Sequence, residues 1–309
     1  MTKRQSPLFG AYIAFALVSF FWGTTYLGIR IGVETIPPFW LAGLRQTSAG
    51  LLIIVYGLII GFRFPAWKEY RKTIIPALLM IATGNGLVTW AEQHINSGLT
   101  AILCSMNPVW VMLISFVFLR NEALHWKAIT GILLGFVGIL VIFSNSLTDF
   151  TNPGYLLGIV GIILANIGWA AGTVYVSKVN TSIPPVFAAG WQMFTAGIVL
   201  LGISLICEKP FETHYTLEGL GALLYLTLFG SIVAYGAFLY MLKHLTPTIA
   251  SAYAYINTVV AVLLGWLWLK EQITSNMALG TVITIYGIYL VNSGKNKTKK
   301  AETPISVDE

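Results

Sequence analysis

Charge is what this 309-residue chain has least of: Asp, Glu, Lys and Arg together make up 10% of it. Aspartate occurs only as Asp149 and Asp308, and the two cysteines, Cys104 and Cys207, stand far apart. Each scarcity excludes a class of chemistry. An intramembrane aspartyl protease needs two aspartates within apolar runs, and here there are none. A zinc centre needs clustered Cys and His, and neither the HExxH nor the GxSxG pattern occurs. No Walker sequence supplies a nucleotide motor, and no continuous polar lining or charged ring suggests a channel. The chain therefore reads as no enzyme, with no metal and no cofactor, and both cysteines read as small packing residues.

What fills the sequence instead is apolar: 56% hydrophobic residues and a mean hydropathy of +0.77, which is not a soluble composition. A spanning helix needs about 20 mostly apolar residues, because the bilayer core offers the backbone no water. By that rule ten spans are expected, at roughly 8–30, 38–61, 73–92, 97–119, 126–145, 154–177, 185–207, 217–241, 247–269 and 275–293. Lys3 and Arg4 precede a first run that is too long for a signal peptide and has no Ala-x-Ala site, so it reads as a retained helix. Ten alternating spans put 14 of the 18 Lys and Arg on one side, including Arg63, Lys68, Arg71, Lys72, Lys178 and the lysines after Ser293. Basic residues favour the cytoplasm. Both termini are thus expected there, in a multi-pass protein of the cell membrane whose residues 294–309 form a disordered basic tail. The net charge of +6 follows from this topology, and no nucleic-acid partner is implied.

The sequence also repeats itself. IPPFWLAGLRQTSAG (36–50) returns 147 positions later as IPPVFAAGWQMFTAG (183–197), with seven identities in fifteen, and the same offset pairs Trp22 with Trp169. An offset of 149 relates Glu122, Gly131 and Gly138 to Glu271, Gly280 and Gly287. The chain is read as all-α, two five-helix repeats over 8–145 and 154–293. An odd number of spans per repeat turns the second upside down relative to the first, and such proteins bind substrate near the midplane where the repeats face each other. Gly131, Gly135, Gly138, Gly280 and Gly287 make a small-residue stripe at helical spacing, suited first to helix packing and second to a homodimer contact.

Polar residues inside spans are the candidates for function. Arg45 lies about seven residues into span two, roughly 10 Å along the helix. It is read either as a bidentate clamp for a carboxylate or phosphate or as a structural partner of Glu92 or of a helix-end carbonyl. Its counterpart in the second repeat is the neutral Gln192, so the pair offers one charged and one uncharged donor. Asn85, Thr89 and Glu92 share one face of span three, where Glu92 is a candidate for proton coupling. Trp22 and Tyr26 on span one, and Asn166 and Trp169 on span six, suggest an aromatic cage. Asn107 before Pro108, Asn257, Tyr255 and Tyr235 complete the candidate cavity residues, with either face of span nine (Tyr253 and Asn257, or Tyr255 and Thr258) left open.

Taken together, FWGTTYLGIRIGVE (21–34), IPP (36–38) followed by AGLRQTSAG (42–50), GNGLVTWAEQ (84–93) and SAYAYINTVVAVLLG (251–265) with Lys270-Glu271 resemble the EamA branch of the drug/metabolite transporter superfamily over residues 8–293. The resemblance implies a ten-helix inner-membrane carrier in which spans one to four and six to nine surround a central cavity. Its expected function is secondary export of small metabolites, amino acids or similar carboxylate-bearing compounds, by alternating access. The alternative is efflux of drug-like or toxic compounds. The expected partners are a small-molecule substrate and the bilayer.

Overall fold

The computed structural model of the chain describes residues 7–119, 126–143, 152–245, 249–250 and 252–293. Among these every regular element is a helix. In chain order α1 is Pro7–Val33, α2 is Pro38–Ile59, α3 is Trp67–Ala91, and α4 is built in two pieces, Ser97–Cys104 and Asn107–Leu119. They are followed by α5 (Trp126–Phe143), α6 (Pro153–Lys178), α7 (Pro185–Cys207), α8 (Leu217–His244), α9 (Tyr253–Leu269) and α10 (Ser275–Ser293). Among the described residues seven helices, α1 to α4 and α6 to α8, are long and apolar enough to cross a membrane, which makes this a multi-pass membrane protein. The described apolar stretches of α5 and α9 are shorter. The residues beside them, 120–125, 144–151, 246–248 and 251, lie outside the described set, as does the expected tail 294–309.

Local sequence explains where these helices start and break. Pro38 and Pro185 open α2 and α7, each after a second proline with ψ near +140°, since a proline at the first helical position loses no hydrogen bond. The α3 helix begins at Trp67 rather than at 73, because Lys68, Glu69, Arg71 and Lys72 continue the helix beyond its apolar run. The interruption of α4 at Ser105 and Met106 sits just ahead of Pro108, whose missing N–H and bulky ring disfavour a continuous ladder.

Two helices depart from α geometry in the same way. Residues Ala77–Asn85 of α3 and Leu226–Val233 of α8 are π-helical, each flanked by ordinary α-helix. Such stretches are rare and shift the side chains that follow them around the helix axis.

The helices pack in a regular scheme: α2 against α7, α5 against α10, α4 against α9, α1 against α8 and α9, and α6 against α3 and α4. The α5–α10 seam uses the small-residue stripe. A Cβ on Gly138 would fall 2.6 Å from the Gly280 carbonyl oxygen, and one on Gly287 would fall 2.6 Å from that of Gly131, while Gly135 faces Met106 of α4. The α2–α7 seam uses glycines of the repeated stretch: a Cβ on Gly50 would fall 2.7 Å from the Gly190 carbonyl oxygen, and one on Gly190 would fall 2.7 Å from Ile53 Cγ2. Gly50→Val should therefore force these helices apart and cost about 1–3 kcal/mol, read as a lower unfolding temperature in detergent. Gly202→Ala, on the same α7 but with open space at its Cβ, should lose nothing.

Candidate functional site

The site begins with a charge in an unusual place. Arg45 is only 2% exposed, among the largest fully buried side chains. Its Nε donates to Ser231 Oγ at 2.8 Å and its Nη1 to Asn85 Oδ1 at 3.3 Å. Both acceptors are neutral, and no acidic side chain pairs with it among the described residues. The two π-helical stretches supply these acceptors: Asn85 closes the one in α3 and Ser231 lies within the one in α8. Gly230 makes the approach sterically possible, because a Cβ there would meet Arg45 Nη2 at 2.8 Å. The Gly230 carbonyl is in turn held by the indole of Trp22, whose Nε1 donates to it at 2.9 Å.

Arg45 forms part of the wall of a central cavity of about 80 Å³. Trp22 and Tyr26 reach it from α1, Asn85 from α3, Asn107 from α4, Asn166 and Trp169 from α6, and Asn257 from α9. Eight of the residues expected from sequence thus meet in one space. That space has room for several water molecules, at roughly 10–15 Å³ each, but is well below the roughly 300–1,000 Å³ of a ligand pocket. As it stands, the space is too small for a metabolite-sized ligand.

One side of the cavity is aromatic. Trp22 meets Trp169 edge-on at a centroid distance of 5.1 Å, Tyr253 at 4.8 Å and Phe238 at 5.1 Å, and Trp169 lies 5.5 Å from Phe238. Behind these rings the main apolar core fills the bundle with Val18, Ile53, Met80, Met193 and Met241. The two tryptophans therefore face the cavity from one side and pack into the core on the other.

The other polar wall depends on the broken helix. The interruption in α4 leaves the Leu103 carbonyl facing α6, where Asn166 Nδ2 donates to it at 3.2 Å and to Ile162 O at 3.0 Å. Asn107 Nδ2 makes a long contact of 3.5 Å with the Asn166 carbonyl, and Asn107 Oδ1 has no partner. Asparagine here does what water does elsewhere, satisfying backbone freed inside a bilayer.

Four expected residues, Gln192, Tyr235, Tyr255 and Glu92, lie off this wall. Gln192 is buried between α7 and α8, accepting from the Tyr235 hydroxyl, which also approaches Met80 Sδ at 3.9 Å. Tyr255 packs against Met106, Val109 and Met112 instead, so it is the Tyr253 and Asn257 face of α9 that reaches the cavity. Glu92, at the end of α3, is completely buried behind the wall, with neither carboxylate oxygen bonded. Sequence reasoning missed Thr25, Gly84 and Ser231 and read Cys104 only as packing, although it lines the space. Helical spacing from Trp22 and Tyr26 would have reached Thr25, but nothing in the sequence announces the π geometry that aims Ser231 at Arg45.

The chain as a whole resembles known proteins. The profile of the EamA-like transporter family matches residues 9–144 and 156–293. The chain is 35% identical over 295 residues to the uncharacterized inner membrane transporter YedA of Escherichia coli (strain K12), covering 95% of this chain and 93% of that one. It is 27% identical over 288 residues to Protein PecM of Dickeya dadantii, covering 91% and 93%. A solved crystal structure at 18% identity superposes with a TM-score of 0.68 over 95% of this chain and 99% of that one, a likeness of fold.

The Asn166 contacts give a test that needs no substrate. Asn166→Leu keeps the branched shape but removes the amide donor to the Leu103 and Ile162 carbonyls, leaving Leu103 O with only the Met106 N–H at 3.2 Å, and should cost about 0.5–1.5 kcal/mol. Thermal unfolding of the purified variant in detergent measures it; an unchanged midpoint would mean the α4 break is satisfied in some other way.

Proposed function

The chain belongs to the EamA-like transporter family, and from that footing we propose that it is a secondary carrier exporting small carboxylate-bearing metabolites, amino acids among them, across the cytoplasmic membrane. One observation carries the substrate class: a buried arginine on the cavity wall, held by a hydroxyl and an amide oxygen, with its charge matched by no acid among the described residues. A guanidinium placed so is a seat for a planar oxyanion, which can take two parallel N–H donors. The aromatic side of the cavity suits the apolar body of such a substrate. A purely cationic drug would meet Arg45 with no acid on the wall to offset it, which sets the efflux reading second.

The carrier is proposed to cross the membrane ten times, as two inverted five-helix repeats. The packing scheme supports this: replacing each helix by its mate five places on turns the α1 contacts with α8 and α9 into those of α6 with α3 and α4, and returns α2–α7, α4–α9 and α5–α10 to themselves. The two π-helical stretches occupy matching helices, α3 and α8. A cytoplasmic location for both termini is supported by the way basic segments meet at one end of the bundle. Lys72 donates to the Asn180 carbonyl at 2.8 Å, and Glu69 accepts from the Ser182 N–H at 2.8 Å, which brings the start of α3 beside the α6–α7 turn. In alternating access the cavity would open to each side in turn around Arg45.

Transport into proteoliposomes tests the reading with a panel of amino acids, hydroxy acids and quaternary ammonium compounds. Wild type should take up carboxylates and saturate. Arg45→Ala removes charge-assisted hydrogen bonds of about 1.5–3 kcal/mol and should lower carboxylate uptake at limiting substrate by roughly tenfold or more, with Arg45→Lys recovering part of it. Equal uptake of carboxylates by wild type and Arg45→Ala would sink the proposal.

A further inference from the structure

Among the described residues, nothing is bonded to the carboxyl of Glu92. It sits where α3 ends, 0% exposed, and neither side-chain oxygen has a hydrogen-bond partner. The charged and titratable groups that act on it come from every side: Arg30 and Tyr26 on α1, Arg45 on α2, Cys104 on α4, and Glu271 in the segment between α9 and α10. The charged ones are all engaged elsewhere. Arg30 Nη1 donates to the main-chain oxygen of Glu92, not to its side chain. The Glu271 carboxylate accepts from Ser97 N at 3.0 Å, Ser97 Oγ at 2.7 Å and Gly98 N at 3.0 Å, capping α4. Arg45 donates to Ser231 and Asn85. An ionised carboxylate without hydrogen bonds, out of reach of water, is strongly disfavoured, so this is the geometry of the uncharged acid.

A buried acid and a buried guanidinium, neither paired with an opposite charge among the described residues, therefore meet along one face of α3: Asn85 holds Arg45 of α2, and Glu92 follows two turns later. We propose that Glu92 is a proton-binding site that controls the carboxylate seat at Arg45. As the acid it leaves the guanidinium to the substrate; when its proton is lost to solvent it becomes an unpaired anion that competes for Arg45. Coupling of this kind is reciprocal. A carboxylate on Arg45 removes the cation that would favour ionised Glu92, so Glu92 keeps its proton in the loaded carrier, and at a pH high enough to ionise it in the empty carrier up to one proton is taken up with each carboxylate bound. A monoanion and its proton then form a neutral load, whose direction follows the sum of the two gradients. The inference rests on Arg45 being the substrate-carboxylate site, but Glu92 can be tested apart from it.

The first measurement needs no ligand. In infrared spectra of the full-length protein in nanodiscs, a carboxylic-acid C=O band should be present in wild type near neutral pH, be missing in Glu92→Gln, and fade as the pH is raised. A wild-type spectrum with no band lost in Glu92→Gln overturns the proposal. The second uses benzoate as the probe, read by quenching of the intrinsic tryptophan fluorescence to which Trp22 and Trp169 contribute. Wild-type affinity should fall by up to about tenfold per pH unit above the point where the band fades, as a one-proton linkage requires. Glu92→Gln, a fixed mimic of the acid, should bind with the low-pH affinity of wild type at every pH. Binding by wild type with no such pH dependence, or the same dependence in Glu92→Gln, overturns the coupling while leaving Arg45 as the site. A probe that binds wild type and Arg45→Ala equally overturns both.

Discussion

A guanidinium buried in a membrane-spanning bundle is the constraint on which the rest of this structure turns. On insertion scales a charge at the bilayer centre costs roughly 2.5–3.5 kcal/mol, so the helices around Arg45 have to be shaped to hold it. They are shaped at three points. Gly230 brings α8 backbone within reach of the guanidinium, the π-helical stretches aim Asn85 and Ser231 at its nitrogens, and the Trp22 indole fixes the Gly230 carbonyl from the opposite side. None of these devices neutralises the charge; together they orient it toward the cavity.

The scarcity of acidic residues belongs to the same arrangement. Several of the carboxylates present are spent on backbone at the ends of helices. Glu208 accepts from the Phe39 and Trp40 N–H groups at the start of α2, Glu271 caps α4, and Glu69 accepts from Ser182 just ahead of α7. Each ties one half of the sequence to the other. A helix start has unpaired N–H donors and the positive end of the dipole, so these glutamates are satisfied locally and do not compete for Arg45. Glu92 alone among these four is buried with neither oxygen bonded.

Much of this could be read from the amino-acid order, for identifiable reasons. Spans follow from apolar run length. The repeat follows from IPP…AG recurring at 147 residues, and its glycines turn out to be the close approach of α2 and α7. Polar residues in apolar runs led to five residues of the cavity wall, because lipid tolerates them only when they face inward, and paired aromatics led to Trp22, Tyr26 and Trp169. What could not be read is where a helix departs from 3.6 residues per turn. The extra residue in each π-helical stretch changes which side chains share a face, so a helical wheel drawn through α8 does not bring Ser231 to Arg45. Gln192, level with Arg45 in the repeat, is expected from sequence at the binding site but faces Tyr235. Boundaries were missed where helix and membrane part company, as at Trp67, where charged residues extend α3 beyond its apolar run.

The repeat that relates Arg45 to Gln192 explains why that difference matters. Both positions lie on the seam between α2 and α7, and both side chains reach α8: Arg45 bonds Ser231 within the π-helical stretch, and Gln192 bonds Tyr235 just beyond it. The cation at one position lines the cavity, whereas the neutral amide at the other is paired with Tyr235 off the wall. The remaining wall is set by the Trp22–Trp169 contact, where the two repeats present the same residue and close on each other edge-on. Trp22 also donates to the Gly230 carbonyl, and Gly230 lies beside the guanidinium. The ring contact between the two halves and the hydrogen bond that shapes the surroundings of Arg45 therefore share one side chain.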